Sequence, residues 1–186
     1  EEKDISSPDK YLLAKSISPK KRAKKRIGIS WYSQNKSTGY TKSLELTDLI
    51  KAIGNDDNFE YINLQYGEHE KEIFAAEEEN NIQINRYNDL DKFNDIDGLF
   101  SLVDSCDIII TISNVTAHIA GSLGKKSYLL LAKGRGHFWY WMKRENTNDS
   151  LWYPSVQIIQ SDDVSSLNPC LKVLQTKLKD ISSDNY

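Results

Sequence analysis

The chain has 186 residues, enough for one domain with a full hydrophobic core, and its 27 acidic against 24 basic residues give a formal net charge of −3. Mild acidity offers no electrostatic attraction to duplex DNA or an anionic membrane, so no nucleic-acid partner is expected. Two cysteines, Cys106 and Cys170, stand too far apart for a zinc motif or a disulfide framework, which points to a reducing, cytoplasmic setting. The longest apolar runs, Asp107 to Ile112 and Ser127 to Ala132, fall far short of the ~20 residues of a membrane span.

Residues 1–25 are polar, with Pro8, Pro19 and one apolar knot at Tyr11-Leu12-Leu13-Ala14. They read as a connecting segment with a helical turn or two, packed on the domain through Tyr11 and Leu12. No signal peptide heads it, and the opening Glu1-Glu2-Lys3 suggests a piece of a longer protein. The basic run Lys20 to Arg26 and the acidic run Glu77 to Glu79 read as solvated linker and helix face.

Between residues 26 and 180 short β-branched runs alternate with amphipathic ones. Arg26 to Trp31 is a first strand, and Leu44 to Ile53 a helix stopped by Gly54. Phe59 to Leu64 is a strand, Glu68 to Glu79 a helix, and Ile82 to Ile84 a short strand. Ile96 to Val103 is a helix with Leu99, Phe100 and Val103 on one face. Asp107 to Ser113 is a strand apolar on both faces, as a central parallel strand must be. A helix from Thr116 to Leu123, a strand from Lys126 to Ala132, a strand from Val156 to Ile159 and a helix from Val164 to Leu178 follow. Residues 181–186 read as a tail. Six strands alternating with helices predict an α/β, doubly wound, Rossmann-like parallel sheet. Ligands in such sheets bind beyond the carboxyl ends of the strands, where the strand order switches. Three loops would converge there: Trp31 to Lys42, Ser113 to Thr116, and Lys133 to Trp141.

The segment Asp107 to Gly124 is the most informative. A buried strand feeds a helix opened by Ser113, Asn114 and Thr116, small polar residues that leave amides for an anion such as a diphosphate. The same residues suit an ordinary N-cap. His118, one turn in, reads as a packed or hydrogen-bonded histidine when taken alone. Gly121 to Ser127 fails as a P-loop, since it runs from helix to strand and lacks the first glycine. Gly134-Arg135-Gly136 lacks the third glycine of a dinucleotide fingerprint. The loop Ser30 to Gly39 is rich in hydroxyls and amides, with Lys36 as its cation. Phe138-Trp139-Tyr140-Trp141 and Trp152-Tyr153 suit either core packing or stacking on a sugar or base. His69 and His137 have no partners at metal spacing, and no metal site is expected. There is no G-x-S-x-G, and the sequons at Asn35, Asn114 and Asn148 carry no information without a secretory signal.

Four motifs occur in one order: Ile27-Gly28-Ile29-Ser30-Trp31; Asn63-Leu64-Gln65-Tyr66-Gly67-Glu68; Thr116-Ala117-His118-Ile119-Ala120-Gly121-Ser122-Leu123-Gly124; and Trp139 to Trp141 followed by Ser150 to Ser155. That order resembles the C-terminal domain of the glycosyltransferase-like proteins found behind tetratricopeptide repeats, relatives of bacterial heptosyltransferases and O-linked N-acetylglucosamine transferases. The resemblance covers about residues 8–178. It implies the C-terminal half of a GT-B fold and the donor-binding domain of a metal-independent glycosyltransferase. The donor substrate would be a nucleoside-diphosphate sugar, with no other cofactor. Carried over by position, Ser113, Asn114, Thr116 and His118 would surround the diphosphate. Ser30, Trp31 and Ser33, with Lys36, would line the opposite loop, and Gln65 would stand near the cleft. The general base would belong to an N-terminal half, and without that half the chain is expected to be inactive. Many relatives carry Asp at Ser113 and Arg at Tyr32, Tyr140 and Ile159, departures that remove cationic partners for phosphate. They sustain an alternative reading: a degenerate, non-catalytic binding or scaffold module attached to helical repeats.

Overall fold

The computed structural model describes residues 8–13, 22–37, 39–134 and 138–183. Its elements, in chain order, are strand β1 (Lys25–Ser30), a single-turn helix α1 (Gly39–Lys42), α2 (Leu46–Ile53), β2 (Phe59–Asn63), α3 (Glu70–Asn80), β3 (Ile84–Asn85), α4 (Ile96–Asp104), β4 (Ile108–Ile112), α5 (Val115–Ser122), β5 (Ser127–Ala132), a 3-10 turn (Trp139–Trp141), β6 (Val156–Ser161) and α6 (Asn168–Ser183). The six strands form one parallel sheet in the order β3-β2-β1-β4-β5-β6. The chain winds outward from β1 to β3, returns to β4, and winds outward again, so the order reverses between β1 and β4. The α/β, Rossmann-like reading of the sequence holds.

The alternation of side chains across the strands sorts the core into two layers. Ile27, Ile29, Ile108, Ile110 and Leu130 face α2, α3 and α6, meeting Leu46, Leu49, Ile50, Ile73 and Leu174. Ile62, Leu64 and Ile109 face α4 and α5, meeting Leu99, Leu102, Val103 and Ile119. Toward the β6 edge, Ala117, Leu129, Leu131, Ile158 and Trp141 close the second layer. Every residue of β4 and β5 is buried, which explains why both read as unbroken apolar runs.

Several expected boundaries move for local reasons. The last helix starts at Asn168 rather than Val164, because Pro169 is tolerated in a first turn and not in a helix interior. It continues through Ser183, with Ile181 buried, so it runs into the stretch read as a tail. The third strand is Ile84–Asn85, since the left-handed Asn81 closes α3 and the chain needs Ile82 and Gln83 to reach the sheet. On α4, Leu102 takes the buried place given to Phe100, which is only partly covered. Residues 8–13 hold no helical turn: Tyr11 and Leu12 donate their backbone N–H groups to Ser122 O at 2.8 and 2.9 Å and so close the end of α5. Ala14, Lys20, Lys21, Arg135 to His137 and the tail from Asp184 lie outside the described residues. Of the basic run, Arg26 lies in β1 and pairs with Glu60, while Arg22 approaches Asp107. From the acidic run on α3, Glu77 pairs with Arg86.

No helix among the described residues is long and apolar enough to cross a membrane. They also hold no group of three or more His, Cys, Asp or Glu side chains arranged to bind a metal ion.

Candidate functional site

At the switch point the carboxyl ends of β1 and β4 lie side by side, Ser30 opposite Thr111. Where β1 leaves the sheet after Ser30, its amides lose their partners in the ladder, and Gln65, just beyond β2, replaces them. Its Oε1 accepts from Ser30 Oγ at 3.1 Å, from Trp31 N at 3.1 Å and from Tyr32 N at 2.9 Å, while its Nε2 donates to Tyr66 O at 3.1 Å. Asn114 plays the matching role from the other strand. Its Nδ2 donates to Ser30 Oγ at 2.7 Å, and its Oδ1 accepts from Thr111 Oγ1 at 3.1 Å and from Ala117 N at 3.4 Å. Ser30, Gln65 and Thr111 are all at most 1% exposed. The four side chains form one interlocked network in which each has at least one partner, as buried polar groups require.

Of the two readings of the residues that open α5, the geometry shows the N-cap. Asn114 is its N-cap and its side chain takes the Ala117 amide. Ser113 is buried as well, with its Oγ accepting the indole N–H of Trp141 at 2.9 Å. Thr116, in the first turn, differs: its Oγ1 is fully buried and has no hydrogen-bond partner. An orphaned hydroxyl at that depth carries a desolvation penalty of about 1–3 kcal/mol, which an incoming acceptor would remove.

Trp31 does not line the loop with its side chain. It lies in the core, wholly buried, and donates its indole N–H to Glu72 Oε1 at 2.9 Å. Ser33 is buried too, its amide donating to Ser43 Oγ at 2.9 Å. Lys36 is exposed in the turn beyond it, where Asn35 Oδ1 takes the Ser37 amide and hydroxyl. The structure brings Ser30, Gln65, Ser113, Asn114, Thr116 and His118 to one end of the sheet, and leaves Lys36 without a described contact to any of them.

His118 projects from α5 into a nest of aromatic rings. It stacks on Trp141 with centroids 4.6 Å apart, tilts against Tyr140 at 5.2 Å, and places Nδ1 3.2 Å from Tyr153 Oη. Burial lowers its pKa and so favours the neutral ring. Burial likewise pushes the Tyr140 hydroxyl up, against a smaller opposing effect of its hydrogen bond with Ser113. Gly121 makes the packing possible, because a Cβ there would lie 2.4 Å from the Tyr153 ring.

The residue that the loop reading passed over is Lys42. It closes α1, is only 6% exposed, and holds Nζ 5.0 Å from the centre of the Phe138 ring. Phe138 in turn stacks on Tyr140 at 5.2 Å, so the ammonium lies against the same aromatic wall as His118. Among the described residues no carboxylate pairs with it. Burial alone lowers its pKa. The sequence held one signal for it: Lys42 follows the polar loop directly and precedes the apolar periodicity of α2, so it had to return to the sheet edge.

No protein-family model matches the chain. It is 26% identical over 158 residues to Protein FlbA of Caulobacter vibrioides, an alignment that covers 85% of this chain and 26% of FlbA. Among solved structures, E. coli heptosyltransferase WaaC with ADP superposes with a TM-score of 0.54 at 9% identity, over 88% of this chain and 45% of WaaC. A glycosyl transferase of family 9 from Veillonella parvula gives a TM-score of 0.52 at 9% identity, over 83% of this chain and 47% of its own. E. coli ADP-heptose lps heptosyltransferase II gives 0.50 at 12% identity, over 84% and 48%. The chain spans about half the length of these transferases and about a quarter of FlbA. It has the Rossmann-like fold found within glycosyltransferases of the GT-B kind.

Proposed function

We propose that the chain is the donor-binding, C-terminal half of a metal-independent GT-B glycosyltransferase, and that it holds the diphosphate of a nucleotide-sugar between Lys42 and the opening of α5. One observation carries this reading: Lys42 is a lysine only 6% exposed, without an acidic partner among the described residues and set at the carboxyl ends of the strands. A charge so placed costs stability in the empty protein, and an arriving phosphate offsets that cost. The Thr116 hydroxyl, unpartnered and buried, suits a second oxygen, and the α5 dipole adds a favourable field. When the sugar leaves, charge grows on the departing nucleoside diphosphate, where a fixed cation and fixed donors stabilise it without a metal. The structurally similar WaaC was solved with ADP, which supports a nucleoside diphosphate as the ligand to try first.

In this reading Ser30, Gln65, Ser113 and Asn114 shape the site rather than grip the ligand, and His118 packs its wall. The acceptor and the base that activates it would come from an N-terminal half, with helical repeats as a further partner and the cytoplasm as the setting. Isothermal titration of the chain with ADP, UDP, GDP and pyrophosphate tests the reading. Binding of a nucleoside diphosphate that Lys42→Met weakens roughly 10- to 100-fold is expected; no binding of any of the four defeats it.

A second reading, a non-catalytic scaffold module, draws on the interlocked network, since Ser30, Gln65 and Asn114 direct most of their hydrogen bonds to one another and to neighbouring backbone. Nucleoside-diphosphate binding by the chain, joined to hydrolysis of a nucleotide-sugar by its longer parent, would exclude it.

A further inference from the structure

We propose that Glu72 is the positioning residue for Lys42: its carboxylate ties together the two ends of the loop that presents the lysine. The proposal rests on the donor-site reading above. The loop runs from Trp31, just past the end of β1, to Leu46, where α2 begins. A single oxygen, Glu72 Oε1, accepts from the Trp31 indole N–H at 2.9 Å and from the Leu46 amide at 3.1 Å. The other oxygen lies 3.2 Å from His69 Nδ1. Glu72 reaches this point from the first turn of α3, an element outside the loop, so the clamp is anchored in the fold. It also serves as the missing cap of α2, whose own N-cap residue Glu45 makes no side-chain hydrogen bond.

Between the clamped ends the loop is folded on itself. Leu44 N donates to Trp31 O at 3.0 Å, Ser33 N to Ser43 Oγ at 2.9 Å, Ser43 Oγ to Gly39 O at 2.7 Å and Gly39 N to Asn35 O at 2.7 Å. Lys42 occupies the closing turn of that structure. The oxygens of Glu72 are engaged by the Trp31 indole, the Leu46 amide and the His69 ring. The carboxylate holds the loop, and the cation remains for an external anion.

The test uses the full chain and inorganic pyrophosphate. Glu72→Gln keeps an oxygen for Trp31 and Leu46 and is expected to bind within about twofold of the parent, whereas Glu72→Ala weakens binding about tenfold, the loss of a single good hydrogen bond's worth of positioning. Hydrogen exchange should rise across residues 32–45 in Glu72→Ala and stay at the parental level in Glu72→Gln. Asp95→Ala removes the cap of α4 at the Gly98 amide, costs comparable stability, and should leave pyrophosphate affinity unchanged. If Glu72→Ala does not fold, Trp31→Phe, which deletes one donor to the clamp, should raise exchange in the same segment. Unaltered affinity or unaltered loop exchange in Glu72→Ala overturns the clamp. Failure of the parent to bind pyrophosphate would count against the donor-site reading instead, and the exchange measurement would still decide the role of Glu72.

Discussion

The two edges of the sheet treat their cations in opposite ways. At the amino-terminal edge Arg26 meets Glu60 at 2.8 Å, Arg22 lies 3.5 Å from Asp107, and Lys125 lies 3.6 Å from Asp104. A hollow of 370 Å³ opens at that same edge, lined by Lys24, Asp56, Glu60 and Asn85, yet Glu60 is already held by Arg26 and Asn85, and Asp56 by Asn58. At the carboxyl-terminal edge Lys42 is more deeply buried than any of these cations and rests on Phe138. The size of a hollow therefore says less than the state of the charges around it. Arg22, Arg26 and Lys125 each have an acid at that edge, whereas Lys42 has none among the described residues.

The largest expected effect tests whether the polar network at the switch point is scaffold. Asn114→Ala removes the cap of α5 and strips partners from Ser30 and Thr111, both buried. Cap loss of about 1 kcal/mol and unsatisfied buried groups at about 1–3 kcal/mol predict a destabilisation of about 2–4 kcal/mol by urea unfolding. A change within about 0.5 kcal/mol, the size of an ordinary surface substitution, would mean that the network is not structural.

Lys42→Met comes next and acts in two directions. Loss of a charge-assisted hydrogen bond worth about 1.5–3 kcal/mol should weaken pyrophosphate or nucleoside-diphosphate binding roughly 10- to 100-fold. The same change should raise the thermal midpoint, because it replaces a desolvated cation by an apolar chain of similar shape. Calorimetry and titration on one sample check both signs, and a fall in stability would make Lys42 a structural residue.

The contrast also explains what the sequence made legible. β4 and β5 are buried on both faces, so their unbroken apolar runs announced them, and α2 was marked by its periodicity and by Gly54. The single turn α1 and the 3-10 turn at Trp139–Trp141 are too short to display a period. Asn114 was noticed as a polar residue at a helix opening and Gln65 only through the family resemblance, but their partners lie on other strands, and no local pattern encodes that. Lys36 drew attention because its neighbours are polar, whereas Lys42 matters because its surroundings are not, a property that only the fold confers.

At the amino-terminal edge the effect should be small and confined to stability. The side chains of Arg26 and Glu60 are 21% and 27% exposed, so Arg26→Met should cost about 0.5–1 kcal/mol. Pyrophosphate affinity should be unchanged within error by titration. A loss of affinity as large as that of Lys42→Met would erase the distinction between the two edges.

The smallest effect lies in the aromatic wall beside Lys42 and is a matter of pH. Burial holds the folded pKa of His118 below its ordinary value of about 6.5, so the unfolded chain takes up the proton first. By linkage, whatever stability the neutral ring confers is complete above about pH 6.5 and is lost as the pH falls through the lower folded value. His118→Phe keeps a ring against Trp141 and Tyr140 but has nothing to protonate. Carboxylates titrate in both proteins and cancel when the two are compared. The parent should thus lose thermal midpoint faster than His118→Phe between pH 7 and pH 5, and an unchanging gap over that range would show that the imidazole takes up its proton as readily in the folded wall as in water.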